Sequence, residues 1–131
     1  MPASETLSQS LEDYLETIYH LIQEGKVARV KDVAARLQVQ MPSVTGAVRS
    51  LAARGLVDHD PYSYITLTEK GEGIARDMVR RHEVLTHFLI AFLGLDEDVA
   101  ERNACEMEHA IEPVVLDRLV DFVEQADPKG A

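Results

Sequence analysis

The residues best suited to chemistry sit together in one short stretch, Ala104-Cys105-Glu106-Met107-Glu108-His109-Ala110. On a helix, Cys105, Glu108 and His109 fall at spacings of three and four and share a face. An apolar stripe through Ala100, Ala104, Met107, Ile111 and Val114 runs roughly opposite. That leaves Glu101, Cys105, Glu108, His109 and Glu112 on the polar side. Acids packed this closely repel one another unless something positive lies among them. Thiolate, imidazole and carboxylate are common donors to divalent transition metals. From the residues alone two readings stand together: a solvated acidic face, or part of a metal site. A third, with Cys105 as nucleophile and His109 as base, is opposed by the neighbouring acids, which disfavour a thiolate. No oxyanion-hole signal accompanies it, so the chain is not expected to be an enzyme.

The elements that must hold these residues follow from periodicity. Residues 7–24 read as a helix with an apolar stripe of Leu11, Tyr14, Leu15, Ile18, Leu21 and Ile22, stopped near Gly25. Asp13 and Glu16 lie on the face away from that stripe, as solvated carboxylates unless another donor-rich face packs nearby. A short helix at 30–37 is followed by a turn over Val39-Gln40-Met41. Pro42 then suits the first turn of a helix running to about Arg54 and ending at Gly55. Val44, Val48 and Leu51 face inward. Ser43, Thr45, Gly46, Arg49 and Ser50 face outward, a small, polar and basic surface able to lie close against another. Residues 56–60 and 64–68 read as short strands joined by Asp60-Pro61-Tyr62-Ser63. Helix, turn, helix and β-hairpin together form a winged helix-turn-helix, whose second paired helix enters the DNA major groove. His59 in the hairpin reads as structural or as a phosphate neighbour.

Thr68-Glu69-Lys70-Gly71 opens a long helix to about Leu93, with Ile74, Met78, Leu85, Phe88, Leu89 and Phe92 as its buried stripe. His82 lies at the edge of that stripe, where a packed histidine with one satisfied nitrogen is the ordinary reading. Arg76, Arg80 and Arg81 read as solvated, paired or on phosphate. Gly94-Leu95-Asp96-Glu97-Asp98 separates this helix from the next, with acids suited to a helix N-terminus. Pro113 starts a last helix carrying Val115, Leu119, Phe122 and Val123, and Asp127–Ala131 reads as a frayed tail. The fold class is mainly α: a winged helix-turn-helix DNA-binding domain over 1–72, then a helical domain over 73–131.

Composition bounds the function. The chain has 131 residues, 46% of them hydrophobic, which is ordinary for a globular protein. No apolar run approaches the ~18 residues of a membrane span, and the start lacks a secretory signal. One cysteine forms no internal disulfide, so a reducing cytoplasm is the expected location. The net charge of −10 argues against nucleic acid until its distribution is seen. Residues 26–81 carry ten bases and six acids, whereas residues 82–131 carry three bases and twelve acids. One basic block can approach DNA while the acidic ends welcome a cation.

With these pieces in order, the chain resembles the diphtheria toxin repressor family of metal-dependent repressors, its manganese transport regulator-like branch above all. The resemblance covers almost the whole chain. It rests on Glu12-Asp13-Tyr14-Leu15-Glu16-Thr17-Ile18-Tyr19, Pro42-Ser43-Val44-Thr45, Leu67-Thr68-Glu69-Lys70-Gly71, Arg81-His82-Glu83-Val84-Leu85, and Cys105 with Glu108-His109. It implies a winged helix followed by a helical dimerisation and metal-binding domain, with no C-terminal SH3-like domain expected. It also implies a ligand set of Asp13, Glu16, His82, Cys105, Glu108 and His109. The manganese type matches at Asp13, Glu16, His82, Glu108 and His109, but has a carboxylate where this chain has Cys105. The iron type has the cysteine, but a methionine in place of Asp13. The iron type's ancillary site matches His82, Thr86 and Glu101, with Thr86 standing where a glutamate is expected.

Carboxylates and imidazole suit Mn²⁺ or Fe²⁺, and a thiolate biases toward Fe²⁺, Zn²⁺ or Co²⁺. The expectation is therefore a metal-activated repressor of metal-uptake genes, with Mn²⁺ as cofactor, Fe²⁺ as the alternative, and Co²⁺ or Zn²⁺ as substitutes in vitro. Gln40, Ser43, Thr45, Gly46 and Arg49 are the candidates near bases or phosphates. Gly46 stands where the iron type carries glutamine, so shape and phosphate contacts carry more of the readout. The expected partners are double-stranded operator DNA and a second copy of the chain, with no membrane and no small-molecule substrate. A winged-helix regulator answering to a small organic ligand is the competing reading.

Overall fold

Ser8 starts the first helix, α1 (Gln9–Gln23), by accepting the Leu11 N–H on its side-chain oxygen at 3.2 Å. The computed structural model describes residues 7–60 and 64–126. Two units divide the chain between Arg76 and Asp77.

In the first unit, α1 buries Tyr14, Leu15, Ile18 and Leu21. Thr17 is buried too, and its hydroxyl donates to the Asp13 carbonyl at 2.8 Å, which satisfies it. The helix closes at Glu24, and Gly25 takes a positive φ of 80°. Helix α2 (Val30–Leu37) has the expected bounds and begins where Asp32 accepts the Arg29 N–H at 3.2 Å. It ends on Gln38 in the left-handed conformation, φ 57°.

That single left-handed residue turns the chain early, so the turn read over 39–41 is displaced. Met41 already belongs to α3 (Met41–Ala53), because the N–H groups of Ser43 and Val44 both reach the Gln40 carbonyl. Val44, Ala47, Val48 and Leu51 form its buried face.

The hairpin is shorter than the sequence reading. Strands β1 (Val57–His59) and β2 (Ile65–Leu67) pair antiparallel with Val57 opposite Leu67 and His59 opposite Ile65. Pro61, Tyr62 and Ser63 of the expected turn lie outside the described residues. Ile65 also donates to the Ala28 carbonyl at 2.7 Å, which ties the wing to the segment between α1 and α2.

Thr68 joins the wing to α4 (Glu69–Ala91). Its hydroxyl donates to the Gly55 carbonyl at 2.7 Å and accepts the Gly71 N–H at 3.0 Å. Gly71 is required there: a Cβ would stand 1.9 Å from the Leu56 carbonyl oxygen.

In the second unit, α4 from Asp77 onward packs with α5 (Glu97–Ala110) and α6 (Pro113–Ala126). Leu85, Leu89, Ala100, Ala104 and Leu116 form the core, with Phe88, Met107, Ile111 and Leu119 packed against it. Two expectations are corrected here. Val114 does not continue the α5 stripe: Ile111 leaves the helix at ψ 152° and Pro113 starts a new one, so Val114 stands 57% exposed. Phe92 falls one residue past α4 and is exposed rather than buried, although its ring stacks on Phe88 with centroids 5.5 Å apart. On α6 the buried side is Leu116, Val120 and Val123, while Val115 and Phe122 are exposed. Among the described residues no helix is long and apolar enough to cross a membrane.

Candidate metal centre and nucleic-acid interface

In the second unit the donor-bearing faces of α4 and α5 meet. His82 Nδ1 lies 2.7 Å from Glu108 Oε1. The Glu108 side chain is only 4% exposed and that of His82 23%. Of the two readings left open for Glu108, the solvated one does not hold: it lies four residues past buried Ala104, at the border of the apolar stripe, and α4 covers it. Two lone-pair donors come this close only with a proton between them, and a cation replaces such a proton when carboxylate and imidazole ligate it. The buried pair thus fits a divalent ion.

Cys105 is exposed one turn before this pair, and His109 is half-buried beside Glu108 in sequence. Glu101 is exposed, and Glu112 lies beyond the end of α5. Thr86 turns its hydroxyl back to the His82 carbonyl at 2.8 Å, so its proton is used within α4.

In the first unit, Asp13 and Glu16 are half-buried on α1, three positions apart and so on neighbouring parts of one face.

The outer face of α3 is open. Gln40, Ser43, Gly46 and Arg49 are exposed, and Thr45 is half-buried with its hydroxyl donating to the Met41 carbonyl at 3.2 Å. Sequence reasoning overlooked two apolar residues at this end: Met41 is 51% exposed and Val39 38%. Both sat in what was read as a turn.

The helices carrying this face are braced by charge. Arg36 of α2 holds Glu24 at the end of α1 through two hydrogen bonds of 2.8 and 3.0 Å, with Lys26 3.5 Å from the same carboxylate. The Arg36 hydrogen bonds, opposed in part by desolvation, pull Glu24 from its ordinary 4.5 to about 2. Arg36 is raised in turn by the same hydrogen bonds. The arginines of α4 are also paired: Arg76 with Glu72 at 3.8 Å, Arg80 with Glu124 at 2.6 Å, and Arg81 with both Asp77 and Asp117 at 3.0 and 2.9 Å.

Comparison with known proteins agrees with this division of labour. Residues 6–65 match the iron dependent repressor N-terminal DNA binding domain, and residues 68–130 the iron dependent repressor metal binding and dimerisation domain. An uncharacterised HTH-type transcriptional regulator of Methanocaldococcus jannaschii is 40% identical over 94% of this chain and 99% of its own. The HTH-type transcriptional regulator MntR of Bacillus subtilis is 38% identical over 93% of this chain and 85% of its own. A solved manganese-dependent transcriptional repressor in complex with manganese superposes with a TM-score of 0.75 at 34% identity, over 86% of this chain. The chain spans about half of that structure, 52%. These relatives are regulators of transcription rather than enzymes. The chain belongs to the iron-dependent, or diphtheria toxin, repressor family, and it is a metal-dependent, DNA-binding transcriptional repressor.

Proposed function

We propose that the activating ion is Mn²⁺, with Fe²⁺ as the alternative, and that the chain represses metal-uptake genes in the cytoplasm. The ion is held by Asp13 and Glu16 of the DNA-reading half, residues 1–72, together with His82, Cys105, Glu108 and His109 of the helical half, residues 73–131. The observation that carries this is the 2.7 Å approach of His82 to the buried Glu108 carboxylate. Manganese is favoured because carboxylate oxygens and imidazoles outnumber the single thiol. The description of similar solved structures as manganese-dependent or manganese regulators supports the same ion.

A second copy of the chain completes the active form. Ile90, Leu93, Leu95, Val114, Val115 and Phe122 are all at least 37% exposed in the second unit, apolar side chains that a second copy would cover. A twofold dimer must set its two α3 helices roughly 34 Å apart to meet successive major grooves. An ion shared by the two halves fixes their mutual orientation and so favours that spacing. The linkage is reciprocal, and a coupling of about 1–3 kcal/mol per site makes a usable switch. The test is operator binding by chelator-stripped protein, titrated with Mn²⁺, Fe²⁺, Co²⁺ and Zn²⁺. Mn²⁺ strengthening binding at the lowest free concentration supports the proposal, and equal affinity with and without metal ends it.

A further inference from the structure

We infer that Met41 specifies a base: its side chain packs on the C5-methyl of a thymine in the major groove. This rests on α3 being the groove-reading helix. Met41 is the first residue of α3, the end at which helix-turn-helix proteins contact base edges. Its carbonyl is held by the Thr45 hydroxyl at 3.2 Å, so its backbone is fixed while its side chain is 51% exposed. It has no place in the α3 core, which is Val44, Ala47, Val48 and Leu51.

The neighbourhood decides what it meets. Val39 and Pro42 are exposed beside it in sequence, so this end of the helix presents an apolar tip. Further along, the outer face is small at Ser43, Gly46 and Ser50, all exposed beside the flexible Arg49, and nothing stands within 4 Å of a Cβ built on Gly46. The helix can therefore approach closely. Among the groove-facing edges of the four base pairs, the thymine methyl is the only apolar group. A flexible, polarizable thioether adapts its shape to that methyl without requiring a hydrogen-bond partner.

The test begins with duplexes selected from a random pool by the full chain, using whichever of Mn²⁺, Fe²⁺, Co²⁺ and Zn²⁺ gives the tightest binding. Each thymine is then replaced by deoxyuridine, which removes only the methyl. Affinities are measured for the parent chain, Met41→Ala and Arg49→Ala, with melting temperatures as a check on folding. The expected result is a loss of about fourfold per half-site at one thymine position, the worth of one buried methyl. Met41→Ala should abolish that discrimination, while Arg49→Ala weakens all duplexes alike and keeps it. Discrimination that persists in Met41→Ala overturns the inference. A parent chain indifferent to every deoxyuridine, with Arg49→Ala still weakening binding, overturns it but leaves α3 as the reading helix. If neither Arg49→Ala nor any deoxyuridine matters, α3 is not the reading helix and the inference falls with that reading.

Discussion

Glu108 on α5 and His82 on α4 share one hydrogen bond of 2.7 Å across 26 residues of sequence, and the carboxylate is almost wholly removed from solvent. Glu108→Gln keeps a hydrogen-bonding side chain of the same size but removes the charge a cation needs. Metal affinity should fall by on the order of 100-fold or more, with the helical content and melting temperature little changed. Isothermal titration with Mn²⁺, beside a thermal melt, reads both. A variant that still binds Mn²⁺ as tightly as the parent would remove Glu108 from the ligand set.

His109→Ala tests the switch itself. In the parent chain, saturating Mn²⁺ should tighten operator binding by roughly 5–150-fold, the range of ordinary allosteric coupling. The variant should bind operator weakly and equally with or without the ion. Fluorescence anisotropy of a labelled duplex measures both arms.

The Glu24–Arg36 pair predicts an acid-side loss of stability. The folded carboxyl sits at about 2 against an ordinary 4.5, so it binds protons less readily folded than unfolded. Its contribution is fully present above about pH 4.5 and fades as the pH falls toward 2. Both side chains are solvent-facing, so the effect is small and shrinks further in salt. Urea unfolding of the parent and Glu24→Gln should differ at pH 7, and the gap should narrow progressively below pH 4.5. A gap that widens on acidification would contradict the assignment.

Two glycines on the same helix should respond in opposite directions. Gly71→Ala forces a methyl onto the Leu56 carbonyl and should destabilise by about 1–3 kcal/mol. Gly73→Ala meets nothing within 4 Å and should stabilise α4 by about 0.5–1 kcal/mol. Thermal melts of the two variants check the pair together.

Phe122 is 54% exposed, with its ring centroid 6.1 Å from that of Phe92. Phe122→Asp should leave the monomer folded but convert a dimer to monomers in sedimentation equilibrium. Operator affinity should then fall, because the two half-sites are no longer engaged together. A variant that sediments as the parent does would move the interface elsewhere.

Much of the fold was legible because local signals agreed with one another. The α2 helix has the bounds read from the sequence, and Gly25 and Gly55 stand where α1 and α3 end, each with positive φ. What escaped notice depended on distant partners or on one unusual dihedral. Gln38 carries no glycine-like signature, yet its left-handed conformation moved the start of α3 onto Met41. Glu108 looked solvated because its neighbours on α5 are acids, and only α4 explains its burial. On α6 the Leu116/Val120/Val123 and Val115/Phe122 stripes are equally apolar, so periodicity alone did not say which packs into its own core. Of the proposed metal set, spacing pointed only to Cys105, Glu108 and His109; the family resemblance supplied Asp13, Glu16 and His82, and the approach of His82 to Glu108 required the packed helices.

The single hydroxyl of Thr68 bonds Gly55 behind it and Gly71 ahead, and so clasps the stretch of chain that contains the hairpin. A change of length between the two strands leaves this clasp, and with it the start of α4, in place, whereas a change at buried Val57 or Ile65 reaches the core. Variation within this lineage can therefore gather between the strands without shifting where the long helix begins.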